Sequence, residues 1–309
     1  MNRVNDVSSA SKDHIRNLHG DHGSKWLASV PARLAQLSDQ WSLQIGKTRI
    51  SGASCIAYAH AAQHGAVVVK LVLDQASFAA ELAALDAFAG NATVQLLSSS
   101  PNDRALLLER IMPGEALSTL ADDSTDETAT SIAGDVILAM HTAVRDSARS
   151  TDLQNIGREA LDAIQTYRTV HDGSLQPIPA NRVAHAEGIL RELHDSQDHA
   201  IVLHGDLHHD NILRGGRRPW LAIDPKGRSG DLASEMAALI RNPISELGRV
   251  PNLRALLARR IDQFVEHLGY DRTRVQGWAM GLAVVAACWQ LADRESGWER
   301  WLHVAGALD

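Results

Sequence analysis

The pattern of apolar and polar residues changes character along the chain. A polar segment over residues 1–23 is followed by apolar residues at helical spacing over residues 26–37. Between residues 45 and 111 the apolar residues form short continuous runs that predict strands, interrupted by one helical pattern that starts at Phe78. From residue 112 onward helical spacing dominates. The pattern therefore predicts an α+β protein with a strand-rich part and a larger, mainly helical part.

The helical part contains several separate amphipathic patterns. Predicted helices cover residues 128–144, 154–170, 181–193, 231–240, 253–268, 272–292 and 298–307. Asp231 is a suitable N-cap for the fourth of these helices. Before it lie three short strand-like runs, and the glycine pair at 215–216 predicts that the last two runs form a hairpin.

This change of pattern divides the chain into three predicted parts. Residues 1–23 lack periodicity and are rich in Ser, Asp, His and Gly, which predicts a mobile N-terminal extension. Residues 24–111 form the predicted N-lobe. A Pro-Gly turn then marks the start of the predicted C-lobe, residues 112–309.

Composition limits the classes of protein that the chain can represent. The 309 residues carry a formal net charge of −7, which argues against a nucleic-acid or anionic-membrane partner and leaves room for a cationic ligand. The two cysteines are too few for a disulfide framework. The N-terminus does not resemble a secretory signal, and the apolar run 278–289 is too short to cross a bilayer. We therefore expect a cytoplasmic protein, with a monomer slightly favoured.

A polar loop between two strand-like runs contains the strongest chemical signal. Residues 204–211 read HGDLHHDN, and Asp224 lies at the far end of the following hairpin. Phosphoryl transfer needs one carboxylate to orient a hydroxyl, and an amide oxygen with a second carboxylate to hold magnesium on ATP. The order H-x-D-L-x-x-x-N and a later Asp is that of the protein-kinase catalytic loop, with Gly205 in place of Arg. In this interpretation Asp206 is the catalytic base, and Asn211 and Asp224 are the Mg²⁺ ligands.

Two other interpretations of this loop belong to different functional classes. His204, His208 and His209 have spacings at which imidazoles bind zinc or iron, which would suit a metallohydrolase. No distant Cys or His cluster in the sequence completes such a site. The second alternative is a non-catalytic, kinase-like nucleotide-binding protein, although such proteins usually lack part of the catalytic set.

Upstream residues supply the nucleotide-binding half of a kinase. Lys70 lies inside the apolar strand 66–73, and Glu81 follows on the helical pattern, as expected for a strand lysine that pairs with a helix glutamate and reaches ATP phosphates. The small-residue turn formed by Gly52, Ala53 and Ser54 can place backbone N–H groups over those phosphates.

A further strand at 105–111 ends where the chain is predicted to pass between the lobes. In a two-lobed kinase, the peptide groups of Glu109 and Ile111 would meet the adenine edge. The alternative is an ordinary edge strand that ends at a Pro-Gly turn.

These segments carry a family resemblance. LHGDLHHDNIL, AIDPKGRSGD and LLLERIMPGEAL, with the VVVK strand and its Glu, resemble the aminoglycoside phosphotransferase superfamily, in particular its streptomycin 6-phosphotransferase and hydroxyurea phosphotransferase branch. The resemblance extends from about Trp26 to the C-terminus. It implies a bilobal protein-kinase-like fold, ATP and Mg²⁺ as cofactors, and phosphorylation of a hydroxyl group on a small molecule. The DFG and APE motifs of protein kinases are missing from the sequence, which makes protein substrates unexpected.

The acceptor is the least defined part of this interpretation. Streptomycin carries guanidinium groups, so an acidic pocket would suit it. Candidate acceptor residues in the C-lobe are Asp231, Glu235, Asp293, Glu295 and Glu299. Hydroxyurea would instead need a small pocket, and a kinase of an unidentified metabolite would share the same catalytic motifs.

Overall fold

A five-stranded antiparallel sheet organises the N-terminal part of the protein. The computed structural model describes residues 9–121, 124–144, 153–171, 177–293 and 296–309. The strands of this sheet are β1 (Leu43–Ser51), β2 (Ser54–Ala61), β3 (Gly65–Val72), β4 (Leu96–Ser100) and β5 (Ala105–Glu109). They are arranged in the order β1-β2-β3-β5-β4, and each pair of neighbours is antiparallel.

Helix α1 (Ser9–Gln40) packs against the first strand of this sheet. Residues 1–23 are predicted to be a mobile extension without helical periodicity. Of these, residues 9–19 are helical, Gly20 interrupts the helix with non-helical backbone angles, and Ile15 is buried. Although this segment is polar, Ile15 joins Trp26 in the apolar cluster under the sheet, and its burial stabilises the additional turns. Residues 1–8 lie outside the described residues.

Helix α2 (Gln75–Phe88) connects the sheet with the helical part of the chain. The side chain of Asp74 caps its N-terminus by accepting a hydrogen bond from the amide of Ser77. Phe78 packs in a cluster with strands β3 and β5, whereas Phe88 belongs to the large core of the helical lobe. The helix therefore contacts both hydrophobic cores.

The C-terminal part is mainly helical, as the sequence pattern predicts. Its helices are α3 (Asp126–Val144), α4 (Ile156–Val170), α5 (Ala180–Asp195), α6 (Met236–Ile240), α7 (Ile244–Leu247), α8 (Leu253–Leu268), α9 (Arg272–Ala292) and α10 (Glu299–Leu308). Helix α9 is apolar and long enough to span a membrane, but 67% of its apolar window is buried among other helices. The predicted bounds 253–268 and 272–292 are confirmed, while residues 232–240 form a short 3₁₀ turn followed by α6.

Four short strands lie at the junction of the two parts. They are β6 (Ile201–Leu203), β7 (Ile212–Arg214), β8 (Trp220–Ala222) and β9 (Arg228–Gly230). Strands β7 and β8 form the predicted hairpin, and β6 pairs with β9. The backbone of Ala222 also exchanges hydrogen bonds with the N-terminal part: its carbonyl accepts from the amide of Val94, and its amide donates to Ala92, both at 2.7 Å. The hairpin is thus joined to the N-terminal part by main-chain bonds.

Helix α3 buries a histidine whose ring has no polar partner. Both ring nitrogens of His141 lack a hydrogen-bond partner in the described part of the chain, and the ring packs edge-on against Phe88 at 5.8 Å between centroids. Burial lowers the pKa of His141 to about 3, so the folded protein keeps this ring neutral.

We expect His141→Phe to reduce the acid sensitivity of the protein. Because the folded-state pKa lies below the unfolded value, the native state binds fewer protons, and stability falls by about 1.4 kcal/mol per pH unit as the pH drops below about 6.5. Between pH 7 and pH 5 the free energy of unfolding, measured with urea, should fall about 2 kcal/mol less in the variant than in the wild type. Equal losses in both proteins would contradict a neutral buried ring.

Candidate active site

The loop from His204 to Asn211 is held by buried groups beneath it. The buried carboxylate of Glu235 accepts hydrogen bonds from the amides of His204, at 2.7 Å, and Gly205, at 3.2 Å. Burial raises the pKa of Glu235 to about 7, although both bonds favour its ionised form. The His204 ring bonds to the carbonyl of Ile223 at 2.9 Å, and burial lowers its pKa to about 4. These contacts fix the backbone conformation that precedes Asp206.

Gly205 explains why this loop departs from the HRD pattern of protein kinases. Its φ of +80° is in the left-handed region, and a Cβ there would lie 2.7 Å from Cγ of Arg228. A side chain at this position would therefore displace Arg228, which instead forms an ion pair with Glu159.

Asp206 lies in the loop beside a lysine. Its carboxylate forms an ion pair with Nζ of Lys226 at 3.0 Å. Burial alone would raise the pKa of Asp206, but Lys226 and His208 outweigh it and hold the pKa below its usual range. The carboxylate is therefore ionised at neutral pH and able to accept a hydrogen bond or a proton.

Asn211 and Asp224 line the same cavity, and each has a side-chain oxygen atom. Nδ2 of Asn211 donates to the carbonyl of Asp206 at 2.9 Å, which leaves its Oδ1 available as a ligand atom. Asp224 has a φ of +62°, rare for a residue with a side chain, and its carboxylate binds Nζ of Lys70. Burial alone would raise the pKa of Asp224, but the charge of Lys70 outweighs burial and holds the pKa below its usual range.

Lys70 is the buried cation of the site. Its Nζ donates to Glu81 at 2.6 Å as well as to Asp224, so it joins β3, α2 and the end of the catalytic hairpin. Burial alone would lower the pKa of Lys70, but these two carboxylates outweigh it and raise the pKa. Burial raises the pKa of Glu81 to about 7 against the pull of Lys70. The predicted pairing of Lys70 with Glu81 thus has the geometry expected of a kinase.

Two cavities meet at these side chains. One has a volume of about 500 Å³ and is lined by Val68, Lys70, Ile223 and the segment from Glu109 to Gly114. The other has a volume of about 470 Å³ and is lined by the turn Gly52, Ala53 and Ser54 on one side. Lys70, Glu81, Asp206 and Asp224 line both cavities.

The predicted hinge residues lie in the wall of the first cavity. The Glu109 side chain points elsewhere, accepting hydrogen bonds from the amide of Gln95 at 2.9 Å and from Arg217 at 2.7 Å. Arg217 also donates to the carbonyl of Thr93 at 2.9 Å, so it fixes the course of the chain before and through the hinge. Ile111 follows with its side chain at the cavity wall.

The family model described as aminoglycoside/hydroxyurea antibiotic resistance kinase matches residues 40–294, most of the chain. The chain belongs to this kinase family.

Two named proteins are similar in sequence to this kinase over most of its length. Streptomycin 6-kinase from Streptomyces griseus is 28% identical over 275 residues, which cover 89% of this chain and 87% of the relative. Hydroxyurea phosphotransferase from Kitasatospora aureofaciens is 30% identical over 288 residues, covering 89% of this chain and 77% of the relative.

Solved structures share the fold of this kinase at low sequence identity. A choline/ethanolamine kinase family protein from Mesorhizobium loti aligns with a TM-score of 0.61 at 15% identity, covering 91% of this chain and 92% of that chain. An aminoglycoside phosphotransferase, in a ternary complex with ADP and hygromycin B, aligns with a TM-score of 0.59 at 15% identity, covering 89% and 96%. The predicted bilobal kinase-like fold is confirmed, and the kinase is a phosphotransferase that uses ATP and acts on small-molecule hydroxyl groups.

The predicted acidic acceptor residues need correction. Glu235 is buried beneath the catalytic loop, and Asp231 is occupied by Arg274 and by Nε1 of Trp278, at 2.8 Å, besides capping its 3₁₀ turn. Both carboxylates are therefore bound inside the protein. Asp293 and Glu299 are exposed and do not line the two cavities, and Glu295 lies outside the described residues.

The second cavity contains charged residues that the sequence pattern did not identify. They are Glu159, Lys226, Arg228 and Arg241. The sequence does contain a signal for Lys226 and Arg228, because both lie in the turn-rich segment 225–230 directly after a predicted metal ligand. No local pattern distinguishes Glu159 or Arg241 from the other charged residues of the helices.

The histidines of the loop do not form a metal site in the described ranges. Both ring nitrogens of His204 are engaged, one by Ile223 and one by the amide of Asp206. Burial lowers the pKa of His209 to about 3 within the helical core. Among the residues that the structure describes, no group of three or more His, Cys, Asp or Glu side chains is placed to hold a metal ion.

We expect Gly227→Ala to disrupt nucleotide binding. A Cβ on Gly227 would lie 2.0 Å from the carbonyl oxygen of Ala80, next to Glu81, and only a movement of the α2 backbone could relieve this clash. Affinity for an ATP analogue, measured by calorimetry, should fall by at least about tenfold, as expected when a group orienting a site is displaced.

Gly65→Ala is the matched control. Gly65 also has a positive φ, +69°, but nothing lies within 4 Å of the added Cβ. It should therefore lose only the roughly 1–2 kcal/mol of stability that the left-handed conformation costs, and retain nucleotide affinity. Equal affinity in both variants would show that the contact with α2 does not support the site.

Proposed function

We propose that this kinase transfers the γ-phosphate of ATP to a hydroxyl group of a streptomycin-type aminoglycoside or of hydroxyurea, with Asp206 as the catalytic base. The observation that carries the proposal is the meeting of Lys70, Glu81, Asp206 and Asp224 at the junction of two cavities. One cavity suits a nucleotide, and the other suits an acceptor whose hydroxyl faces Asp206. The names of the relatives supply the two acceptors.

The first cavity is the proposed nucleotide site. Val68, Leu108 and Ile223 provide apolar walls for an adenine ring, and the peptide groups of Glu109 and Ile111 provide polar atoms at its edge. Lys70 lies at the inner end, where its ammonium group can bind phosphate oxygens. The turn Gly52, Ala53 and Ser54 lines the second cavity from the N-lobe, and Ser54 also lines the first, so the proposed phosphate-binding turn lies where the two cavities meet.

Asn211 and Asp224 are the proposed Mg²⁺ ligands. An amide oxygen and a carboxylate are the hard oxygen donors that Mg²⁺ prefers, and Asn211 is already oriented by its bond to Asp206. Bound Mg²⁺ would offset negative charge on the phosphates. Asp224 also forms an ion pair with Lys70, which holds its carboxylate in position before Mg²⁺ binds.

Asp206 orients the acceptor hydroxyl and accepts its proton. Its carboxylate is ionised because Lys226 and His208 hold its pKa low, and it lies between the two cavities. Lys226 also keeps a positive charge beside the region where the transferred phosphoryl group must pass. We further propose a cytoplasmic location, in keeping with an ATP-dependent reaction and two free, buried cysteines.

Asp206→Asn should abolish most turnover while retaining ATP binding. The amide cannot accept the proton, and loss of a general base typically costs ~10²–10⁴-fold in rate. Mg²⁺-dependent ADP release, stimulated by streptomycin or hydroxyurea, measures the turnover, and calorimetry with an ATP analogue measures binding.

The exposed Asp262 in helix α8, which pairs with Arg272, offers a matched control. Asp262→Asn should keep wild-type turnover. Wild-type turnover in Asp206→Asn would refute the assigned base, and a lack of stimulation by both acceptors in the wild type would refute the proposed acceptor classes.

Asp224→Asn should weaken metal binding more than nucleotide binding. The variant loses one anionic oxygen ligand, so the Mg²⁺ concentration for half-maximal ADP release should rise at least about tenfold. Mn²⁺ binding in the presence of ADP, followed by electron paramagnetic resonance, provides a measurement that does not depend on turnover. An unchanged Mn²⁺ affinity would remove Asp224 from the ligand set.

A further inference from the structure

An arginine on the acceptor side of the active site has no carboxylate partner. Beyond Asp206 the second cavity continues between Ile156, Glu159, Arg228, Arg241, Leu282 and Trp289, and we call this part the acceptor compartment. Its charges decide which acceptors it accommodates, because Coulomb interactions are stronger in a cavity with apolar walls than in water.

Each carboxylate that lines the cavity already has a cationic partner. Glu159 accepts two hydrogen bonds from Arg228, at 2.6 and 2.9 Å. Asp206 forms its ion pair with Lys226, and the two carboxylates on the nucleotide side share Lys70. Since two carboxylates share Lys70, the cavity lining as a whole carries as many carboxylates as cations. Within the acceptor compartment, however, the carboxylate of Glu159 is paired with Arg228.

The hydrogen-bond acceptors of Arg241 are neutral main-chain groups. Its Nε donates to the carbonyl of Ala237 at 3.1 Å, and its Nη1 donates to the carbonyl of Leu282 at 2.9 Å. The guanidinium carbon lies 5.5 Å from the centroid of the Trp301 ring. Burial lowers the pKa of Arg241 to about 10 although the charge of Asp206 acts in the opposite direction, and Arg241 remains protonated at neutral pH. Asp206 forms no hydrogen bond or ion pair with Arg241; its ion pair is with Lys226. In the described structure Nη2 of Arg241 has no hydrogen-bond partner.

Arg260, which is fully buried, shows how this fold pairs a structural cation. Arg260 is 1% exposed and also donates to main-chain carbonyl groups in residues 239–242. Unlike Arg241, it forms a two-point ion pair with the buried carboxylate of Asp126. Buried charges are normally paired in this way, because an unpaired charge loses its hydration without compensation. Arg241 is only partly buried and faces the compartment, and the described protein supplies no hydrogen-bonded carboxylate for it.

We propose that Arg241 determines acceptor specificity by binding an oxygen-bearing group of the acceptor, such as a urea carbonyl or a carboxylate. The inference rests on the proposed function, because it assumes that the acceptor hydroxyl faces Asp206. It narrows that function: the compartment favours uncharged or anionic acceptors over those that present a guanidinium group. Planar guanidinium donors are well suited to such oxygen atoms.

The first test compares hydroxyurea and streptomycin as acceptors. The wild type should have the higher kcat/KM with hydroxyurea. Arg241→Gln should lower that value by about 10–100-fold, as expected for loss of a hydrogen bond to a charged group. In Arg241→Gln the KM for ATP should stay unchanged, and kcat/KM for streptomycin should not fall. Arg241→Lys should restore part of the lost kcat/KM for hydroxyurea. A wild-type preference for streptomycin, or equal losses with both acceptors in Arg241→Gln, would overturn the proposal.

Arg249→Gln is the matched control. Arg249 is exposed and pairs with Glu246, away from the two cavities of the active site. It should leave both specificity and ATP kinetics unchanged. Calorimetric binding of an ATP analogue shows whether each variant remains folded and able to bind nucleotide.

A second test does not depend on turnover. Trp289 lines the compartment and is 37% exposed, so its fluorescence, obtained as the difference between wild type and Trp289→Phe, reports on ions that enter. Iodide should quench this signal more strongly than caesium, and Arg241→Gln should reduce the difference. Equal quenching by the two ions, or no change in Arg241→Gln, would overturn the proposal. If neither acceptor stimulates ADP release while iodide quenching depends on Arg241, the proposed acceptors fail and the oxygen-binding site stands.

Discussion

A buried ammonium group shared by two carboxylates is the interaction on which the rest of the active site depends. Lys70 comes from a central strand of the sheet, Glu81 from helix α2 and Asp224 from the end of the catalytic hairpin. Lys70 and Glu81 are buried, and moving a charge out of water costs several kcal/mol per ion unless it is paired, so neither can lose its partner without loss. Asp224 is more exposed and binds the same ammonium group from the solvent side. The pairing therefore fixes the helix and the hairpin relative to the sheet, and with them the position of Asp206.

Main-chain bonds reinforce this arrangement where the lobes meet. Ala222 exchanges backbone hydrogen bonds with residues 92–94, just before strand β4. Arg217, from the turn of the same hairpin, binds the side chain of Glu109 and carbonyl groups in the same connection. Gly227 passes so close to the backbone of α2 that any side chain would separate them. The catalytic loop and the hinge are thus positioned by several short contacts, which a displacement of either lobe would break together.

The sequence predicted those parts of the fold and the site that depend on local spacing. Helical periodicity located α8 and α9, and the ordered polar residues of the loop led to Asp206 and Asn211, because this chemistry demands a particular order along the chain. Periodicity failed where tertiary packing decided the outcome, as in the polar segment that becomes helical around Ile15. Whether Glu235 faces an acceptor or the underside of the loop depends on burial across distant segments, which spacing along the chain does not encode.

On the acceptor side, the charge available to a ligand depends on which charged side chains are paired with each other in the folded protein. A net charge of −7 and several acidic residues in the C-lobe suggest an acidic pocket when the sequence is considered as a whole. In the folded protein Asp231 and Glu235 are bound by internal donors, and Glu159 is neutralised by Arg228. The remaining charge that lacks a carboxylate partner in the described cavity walls is that of Arg241. The charge without a hydrogen-bonded carboxylate in the compartment is consequently cationic although the chain as a whole is acidic, because local charge depends on which groups are paired.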